Sequence, residues 1–294
     1  MARKPDGPLR RAGLAALLAV GLALAGTAAA MHESPTIAAA VAQAAAVASP
    51  GPSVPAVAPA PKPSIGPGTV TETPGAGICT AGFVFSGGGR TLLGQAAHCA
   101  GTGPDTETDG CTSSTLRPGA PVIVRGADGP VTGTLRYSSW TAMQSGGESD
   151  PDVCAYNDFA LVELPPDART GSSLPVLGGP AGIRDTAPRP GSVLHGLADP
   201  PRPVHRPGEA GPDQGGGWLH TVRTAIPGTA GESGSPLVDD RGMALGVLSG
   251  MQMGGDRRLE FTDLSRAVGY ARTHGAPADL ALVPGTVPFS PPRG

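Results

Sequence analysis

Glycine and proline interrupt this sequence so often that its folded part has to consist of short segments. The 294 residues include 46 glycines and 34 prolines, a share that would indicate disorder if it were spread evenly. It is concentrated instead: residues 32–48 are rich in alanine, residues 49–68 alternate proline with small residues, and residues 276–294 are again rich in proline. We therefore place one globular domain at residues 69–275 and a disordered tail at residues 276–294.

Short apolar runs separated by turn residues fill this central region. Runs of this length with turn residues at both ends are typical of β-strands. The most prominent of them cover residues 80–86, 121–125, 131–137, 159–164, 192–197, 218–226 and 244–248. Residues 127–129 and 240–242 lie between such runs and have the composition of hairpin turns. The sequence therefore predicts an all-β domain.

One segment near the end of the domain has the spacing of a helix instead. Its apolar residues recur at positions i, i+3, i+4 and i+7, namely Leu264, Ala267, Val268 and Ala271. Thr262 or Asp263 can cap its N-terminus, and Gly275 can end it. We expect a short amphipathic helix after the last strand.

The N-terminus has the features of an export signal. Four basic residues precede an uncharged run rich in alanine and leucine at residues 12–31, and residues 28–30 offer an A-x-A cleavage site. This predicts a signal peptide at residues 1–30. The alternative is an uncleaved anchor, since about twenty apolar residues can span a bilayer. Residues 31–68 are then a linker or a short pro-region, and the sequence does not decide between the two.

The cysteines and the net charge agree with export. Four cysteines can pair in three ways, and disulfides imply an oxidising compartment. No C-x-x-C or H-x-x-x-H spacing occurs, so no metal site is expected. A formal net charge of −3 gives no reason to expect a nucleic-acid partner. We expect a protein that is secreted or held at the cell envelope, without stable membrane insertion after signal cleavage.

Three motifs contain the residues that nucleophilic catalysis by serine requires. QAAHC contains His98, NDFALV contains Asp158, and GESGSP contains Ser233. A serine needs a base to take its proton, and the base needs a third group to fix its tautomer. The order His, Asp, Ser differs from the order in subtilisins and in α/β-hydrolases. A G-x-S-x-G elbow is also excluded, because Ser235 stands two residues after Ser233.

These motifs resemble those of the trypsin/chymotrypsin-like serine peptidases, and in particular their secreted bacterial, actinobacterial-type members. The resemblance covers residues 76–275 and implies two six-stranded antiparallel β-barrels followed by a C-terminal α-helix. It implies that His98 is the general base, that Asp158 orients it and that Ser233 is the nucleophile. The backbone amides of Gly231 and Ser233 would form the oxyanion hole.

The resemblance also implies supporting roles for other residues. It implies one disulfide between Cys79 and Cys99 and, with it, a second between Cys111 and Cys154. Ser249 would donate a hydrogen bond to the carboxylate of the triad. The primary substrate pocket would be lined by Pro227, Gly228, Gly250 and Met251. No acid stands at its base, so cleavage after Arg or Lys is not expected. A Met251 side chain on its wall favours small or medium apolar residues.

Two residues depart from the pattern of that family. Glu232 stands where aspartate is usual, and Gln95 stands where threonine is usual. No Ile-Val-Gly-Gly start is present, so a new N-terminus released by zymogen cleavage is not expected as the partner of Glu232. We expect an arginine or a backbone partner for its carboxylate instead.

The sequence as a whole predicts a monomeric secreted serine endopeptidase. It would hydrolyse protein or peptide substrates through an acyl-enzyme intermediate, without a metal or an organic cofactor. Two alternatives stay open at this point. The chain could be an inactive pseudoprotease that serves as an extracellular binding module, since the departures at Glu232 and Gln95 leave room for a weakened site. It could also be an esterase or amidase that uses the same triad.

Overall fold

The computed structural model describes residues 64–104, 106–252 and 258–292. The signal peptide expected at residues 1–30, and the linker or pro-region up to residue 63, lie outside this part. Within it, every helix is too short or too polar to cross a membrane.

Strands account for most of the secondary structure. In chain order they are β1 (Val70–Glu72), β2 (Ile78–Thr80), β3 (Phe83–Gly87), β4 (Arg90–Gln95), β5 (Pro121–Gly126), β6 (Gly129–Ser138), β7 (Ala160–Glu163), β8 (Gly182–Ile183), β9 (Val193–Ala198), β10 (Val204–Ala210), β11 (Leu219–Arg223), β12 (Pro236–Asp239), β13 (Met243–Met251), β14 (Arg258–Asp263) and β15 (Ala281–Leu282). The α-helices are α1 (Ser139–Gly146), α2 (Pro151–Tyr156) and α3 (Leu264–Thr273).

The strands form two sheets, one of which closes on itself. The second sheet runs β12-β9-β10-β11-β14-β13, and β13 pairs again with β12, so that six antiparallel strands make a closed barrel. The short β8 adds to β13 in parallel. The first sheet runs β15-β3-β4-β7-β6-β5-β1-β2 and curls as a half-barrel, with no pairing between its two outer strands in the part that the structure describes. The expected all-β, chymotrypsin-like architecture with a C-terminal helix is confirmed. Of the two six-stranded barrels expected, one is present as a closed barrel, and the other is an eight-stranded sheet curled as a half-barrel.

The alternation of residues along the strands explains how each sheet buries one face. In β6, Leu135 and Tyr137 are buried while Thr134 and Arg136 are exposed, because successive side chains of a strand point to opposite faces. One hydrophobic core lies on the buried face of the first sheet and includes Val84, Leu93, Val122, Leu135 and Val162. A second fills the closed barrel and includes Leu194, Val222, Leu237, Leu245 and Phe261.

A third core joins the two sheets and the C-terminal helix. It brings together Phe85 and Phe159 of the first sheet, Val238 and Val247 of the barrel, and Leu264 of α3. The two phenylalanine rings meet edge to face, with their centroids 5.7 Å apart. This core fixes the position of one sheet against the other, and the residues of the candidate site lie where the two meet.

Most predicted elements are present. The hairpin turns at residues 127–129 and 240–242 connect β5 to β6 and β12 to β13. The predicted C-terminal helix is α3, and the Asp263 carboxylate caps it by accepting from the amide of Arg266 at 2.7 Å. Helices α1 and α2 were not predicted, although α2 carries a start signal: Asp150 caps it and Pro151 is its first residue.

Two domain limits need correction. The tail was expected to be disordered from residue 276, but β15 pairs with β3, and the buried Leu280 holds the guanidinium of Arg272 with its carbonyl. Further along, the amides of Val283, Gly285 and Ser290 donate to the carbonyls of Val84, Pro180 and Leu177, so backbone hydrogen bonds hold the segment to the domain as far as residue 290. At the other end, Ile65 is only 2% exposed and packs into the first core. The folded domain therefore includes residues that were assigned to the linker.

Candidate active site

His98 and Asp158 meet because β4 and β7 are neighbours. His98 lies in the 3₁₀ turn Ala97–Ala100, which follows β4, and Asp158 lies two residues before β7. Gln95 at the end of β4 pairs with Ala160 at the start of β7, so the adjoining segments run side by side. One oxygen of the Asp158 carboxylate lies 2.6 Å from Nδ1 of His98, and the other accepts from its backbone amide at 2.8 Å.

This double contact determines which imidazole nitrogen carries the proton. An ionised carboxylate only accepts hydrogen bonds, so Nδ1 of His98 carries the proton that it donates to Asp158. The other ring nitrogen, Nε2, is then the one that can take a proton. The Asp158 side chain is 9% exposed and that of His98 is 30% exposed, so water is largely kept from the acid while the base stays accessible.

The barrel contributes to the position of Asp158 through Thr262. The hydroxyl of Thr262, on β14, donates to the carbonyl of Tyr156 at 2.8 Å and accepts from the amide of Asp158 at 3.3 Å. This contact links the segment that carries the acid to the other sheet. The sequence analysis did not identify Thr262, because nothing in a local motif marks a residue about a hundred positions away.

The expected contact of Ser249 with Asp158 is wrong. The hydroxyl of Ser249 donates to the carbonyl of Glu260 at 3.2 Å. The register between β13 and β14 shifts between Leu248 and Gly250, so Ser249 is the extra residue of a bulge. A bulge reorients its extra residue. Here it directs the Ser249 hydroxyl to the backbone of the neighbouring strand β14 instead of to Asp158.

Ser233 lies in a turn at residues 231–235, here called the serine turn, that contacts both sheets. The amide of Thr80, on β2, donates to the carbonyl of Ser233 at 2.8 Å, and its hydroxyl donates to the carbonyl of Gly231 at 2.7 Å. The amide of Gly234 donates to Leu248 on β13 at 2.7 Å. Thr80 is a further site residue that the sequence analysis missed; its place directly after Cys79 is the only signal that it carries.

The glycine after the serine brings the turn against the segment that carries the base. Gly234 has a φ of +90°, and a Cβ there would lie 2.3 Å from the carbonyl oxygen of Thr80 and 3.1 Å from the amide nitrogen of Ala96. Only glycine allows this approach. Ala96 is two residues before His98, so Ser233 is next in sequence to a residue packed against the histidine segment.

The amides of Gly231 and Ser233 are available to a ligand. Within the described residues, the turn uses the amides of Glu232, Gly234 and Ser235 for hydrogen bonds to carbonyls, whereas those of Gly231 and Ser233 donate to no protein acceptor. Gly231 has a φ of +89°, a conformation that favours glycine. An oxyanion hole uses backbone amides of this kind, here those of the serine itself and of the residue two positions before it.

The partner expected for Glu232 is present. Its carboxylate lies 2.6 Å from the Arg206 guanidinium, and the two side chains are 1% and 3% exposed. It also accepts from the amides of Asp199 at 3.0 Å and Thr229 at 3.1 Å. The carboxylate of Glu232, which stands where aspartate was expected, therefore has all of these partners inside the domain. Arg206 was not identified in advance, because no sequence signal distinguishes it from an exposed arginine.

The residues expected at the substrate pocket come together in part. Arg206 donates to the carbonyl of Pro227 at 3.0 Å, which anchors the segment before the serine turn. A Cβ on Gly228 would lie 3.2 Å from Cε of Met251 and 2.8 Å from Cδ2 of Leu259. Met251 therefore lies beside Gly228, as expected. Leu259 was not predicted, and its Cδ2 comes closer to this position than Cε of Met251 does.

Gly250 faces a different neighbour, the side chain of Glu260. A Cβ on Gly250 would lie 2.9 Å from Oε2 of Glu260. Gly250 and Met251 are successive residues of β13, so their side-chain positions are on opposite faces of the strand. The two residues expected to line one pocket thus face different surroundings.

Both disulfides have the expected partners. Cys79 of β2 pairs with Cys99, which joins β2 to the residue that directly follows His98. Cys111 pairs with Cys154 on α2, four residues before Asp158. The groups of potential metal ligands among the described residues each include such a pair. Disulfide sulfurs are not thiolates and do not bind metal as cysteine thiolates do.

Gln95 and Trp140 are two buried residues near His98 in sequence or in space, and neither side chain has a group that could react with substrate. Gln95 is fully buried, and its carbonyl oxygen accepts from the hydroxyl of Thr71 at 2.7 Å, so its departure from threonine is a change inside the first sheet. The buried Trp140 has its ring centroid 6.5 Å from that of His98 and forms part of its surroundings.

No protein-family model matches the sequence, and no curated protein does. The chain is similar in structure to Thermobifida fusca Protease A, at 18% identity and a TM-score of 0.46, over 75% of this chain and 99% of that one. It is similar to the chymotrypsin of Cellulomonas bogoriensis, at 19% identity and a TM-score of 0.48, over 74% and 98% of the two chains. It is also similar to Nocardiopsis protease, at 18% identity and a TM-score of 0.44, over 74% and 98%. By the topology of its own sheets, this chain has the double-barrel fold of the trypsin/chymotrypsin-like serine peptidases.

Proposed function

We propose that this chain is a secreted serine endopeptidase in which His98, Asp158 and Ser233 form the catalytic triad. The observation that carries the proposal is the double contact of the Asp158 carboxylate with His98, at Nδ1 and at the backbone amide. It leaves Nε2 as the base, beside a serine turn with two free amides. These are the three parts that acyl transfer by serine requires.

The proposed reaction proceeds in two stages. Oγ of Ser233 attacks the peptide carbonyl while Nε2 of His98 takes its proton, and the oxyanion accepts hydrogen bonds from the amides of Gly231 and Ser233. His98 then gives the proton to the leaving amine, and the acyl group stays on Ser233. Water deprotonated by His98 attacks this ester, and the second oxyanion collapses as His98 returns the proton to Oγ of Ser233, which releases the acid and restores the serine. The chain supplies every group, so the reaction requires no metal, no organic cofactor and no second subunit.

An extended peptide can reach this serine along β13. Leu248 still exchanges hydrogen bonds with the serine turn, through the amide of Gly234 and the carbonyl of Ser235. Beyond it, Gly250 and Met251 pair with β14 at one edge only, within the described residues. The opposite edge can pair with a substrate strand, which favours a polypeptide over a compact small ester.

The space beside Gly228 favours a small residue before the scissile bond. A substrate side chain that enters between the serine turn and β13 meets Met251 and Leu259. We propose that Pro227, Gly228 and Met251 line this subsite and that alanine or another small apolar residue fits it best. Leu259 makes the fit tighter than the sequence alone indicated.

Secretion belongs to the same proposal. The two disulfides of the domain support an oxidising compartment. The alternative of an inactive binding module rested on the departures at Glu232 and Gln95. The Glu232 carboxylate pairs with Arg206, and the carbonyl oxygen of Gln95 accepts from Thr71, which supports an intact site.

The experiment is a cleavage assay of the purified full-length chain on a peptide library with alanine at varied positions, beside Ser233→Ala. We expect cleavage that falls by at least about 10³-fold in the variant. Turnover of small esters with no peptide cleavage would identify an esterase, and no turnover of either by folded, oxidised protein would contradict the proposal.

A further inference from the structure

Glu260 is an acidic residue on the side of β14 that faces Asp158. Thr262, which contacts the amide of Asp158, is two residues further along the same strand. Side chains two residues apart lie on the same face, about 7 Å from each other. Leu259 and Phe261, the alternating residues, are buried in the core of the barrel. The Glu260 side chain therefore points out of the barrel, on the face that Thr262 turns to the acid of the triad.

The carboxylate of Glu260 occupies the place of a side chain that β13 lacks. Gly250 is its direct neighbour across the two strands, and a Cβ on Gly250 would lie 2.9 Å from Oε2. Any larger residue at position 250 would displace the carboxylate or cover it. With glycine there, the acid extends over β13 to the edge that is open to a substrate strand.

Within the described residues, this carboxylate has one hydrogen-bond donor and no cationic partner. Nε2 of Gln252 donates to Oε1 at 2.7 Å. Among the residues that the structure describes, no lysine or arginine forms an ion pair with Glu260, and the residue is only partly buried. A partly exposed carboxylate with an oxygen not used by a charged partner is available to a cationic ligand.

The alternation of the substrate strand determines which of its residues can reach Glu260. The side chain before the scissile bond enters on the face of Met251 and Gly228. Its upstream neighbour must point to the opposite face, which is the face of Gly250 and Glu260. Neighbouring strands are about 4.8 Å apart, so a lysine or arginine side chain on a substrate strand beside β13 is long enough to reach the Glu260 carboxylate over β13.

We propose that Glu260 forms an acidic subsite that selects lysine or arginine two residues before the scissile bond. This inference rests on the proposed peptidase function and names a substrate class for it: chains with a basic residue followed by a small one. Glu260 acts here as a specificity residue that contacts substrate and takes no part in proton transfer.

Binding to a variant that cannot cleave tests the inference separately from catalysis. Fluorescent peptides that differ only in lysine or norleucine at this position, followed by alanine, are titrated into full-length Ser233→Ala. We expect the lysine peptide to bind about tenfold more tightly at low salt and the difference to shrink at high salt. Adding Glu260→Gln should abolish the difference. Adding Glu209→Gln, an exposed acid on β10, should leave it unchanged.

The outcomes separate the two claims. Equal affinities for the two peptides in Ser233→Ala, or a lysine preference that survives Glu260→Gln, would overturn the acidic subsite whether or not the wild-type chain cleaves peptides. Labelling of the wild-type serine by a fluorophosphonate is recorded beside it and reports only on the proposed catalytic function. Glu209→Gln should leave that labelling unchanged.

Discussion

Arg206 of β10 reaches Glu232 at 2.6 Å and holds the residue before the proposed nucleophile inside the closed barrel. Both side chains are almost completely buried, and Arg206 also donates to the carbonyl of Pro227. One arginine thus positions both the serine turn and the segment that leads to it. A domain with this pair needs no newly released N-terminus to complete the turn.

Removing one partner of this pair should strongly destabilise the domain. Glu232→Gln leaves the Arg206 charge buried and uncompensated, which costs about 3–5 kcal/mol in comparable buried pairs. Urea unfolding of oxidised protein measures the free energy of unfolding. The double variant Arg206→Met with Glu232→Gln should lose less than the two single losses added together. A loss below about 1 kcal/mol in Glu232→Gln would contradict the assigned role.

Asp158→Asn should remove most of the activity without unfolding the domain. The amide donates where the carboxylate accepts, so it holds the His98 ring in the wrong tautomer, and kcat should fall about 10⁴-fold. Steady-state kinetics on a peptide substrate measures this, and thermal unfolding checks the fold. Asp152→Asn on α2 is the matched control and should retain activity. Comparable activity of Asp158→Asn and wild type would exclude Asp158 as the orienting acid.

Met251→Gly should widen the subsite beside Gly228. The Met251 side chain ends 3.2 Å from the Cβ position of Gly228, so removing it admits larger substrate residues. We expect the ratio of kcat/KM for leucine over alanine before the scissile bond to rise at least about tenfold, corresponding to one or two buried methylenes. Gly228→Ala should lower this ratio of kcat/KM, because the added methyl group occupies part of the same space. Unchanged ratios in both variants would place the subsite elsewhere.

The histidine pair on β9 and β10 should make stability fall in acid. Nδ1 of His195 lies 2.9 Å from Nε2 of His205. Burial lowers the pKa of both, and the charge of His205 lowers the pKa of His195 further, against the opposite effect of Asp240 and Asp239. The folded state therefore binds protons less readily than the unfolded state, whose histidines have a pKa near 6.5.

The sign follows from that difference in pKa. The contribution of the two histidines to the free energy of unfolding is fully present above about pH 6.5, and it is lost progressively as the pH falls below that value. Urea unfolding at pH 7.5 and pH 5.0 should show a loss of stability that is smaller in His205→Gln than in wild type. An identical pH dependence in the two proteins would show that this pair does not contribute to it.

Local patterns accounted for the elements whose cause is local. The apolar run at residues 131–137 predicted β6, and the helical spacing after Asp263 predicted α3 together with its cap. The motifs around His98 and Asp158 likewise predicted a contact that the pairing of β4 with β7 then forms. In each case the residues that make the structure are close in sequence or carry a distinctive motif.

Contacts between distant segments could not be predicted in this way. Thr262 and Arg206 act on residues that are far away in the chain, and neither lies in a motif. Ser249 was misassigned because a bulge, which depends on the register of two strands, turns its hydroxyl to Glu260. The tail was misjudged because proline content outweighed Leu280, whose burial depends on the edge of β3.

Labelling with a fluorophosphonate probe tests the central claim most directly. The purified full-length chain is treated with the probe beside Ser233→Ala and His98→Ala, and the modified residue is located by peptide mass spectrometry. We predict one probe per molecule, on Ser233, and no labelling of either variant, because the serine reacts only when His98 can take its proton. No labelling of the folded, oxidised wild-type chain, or labelling that persists in Ser233→Ala or His98→Ala, would contradict the proposed triad.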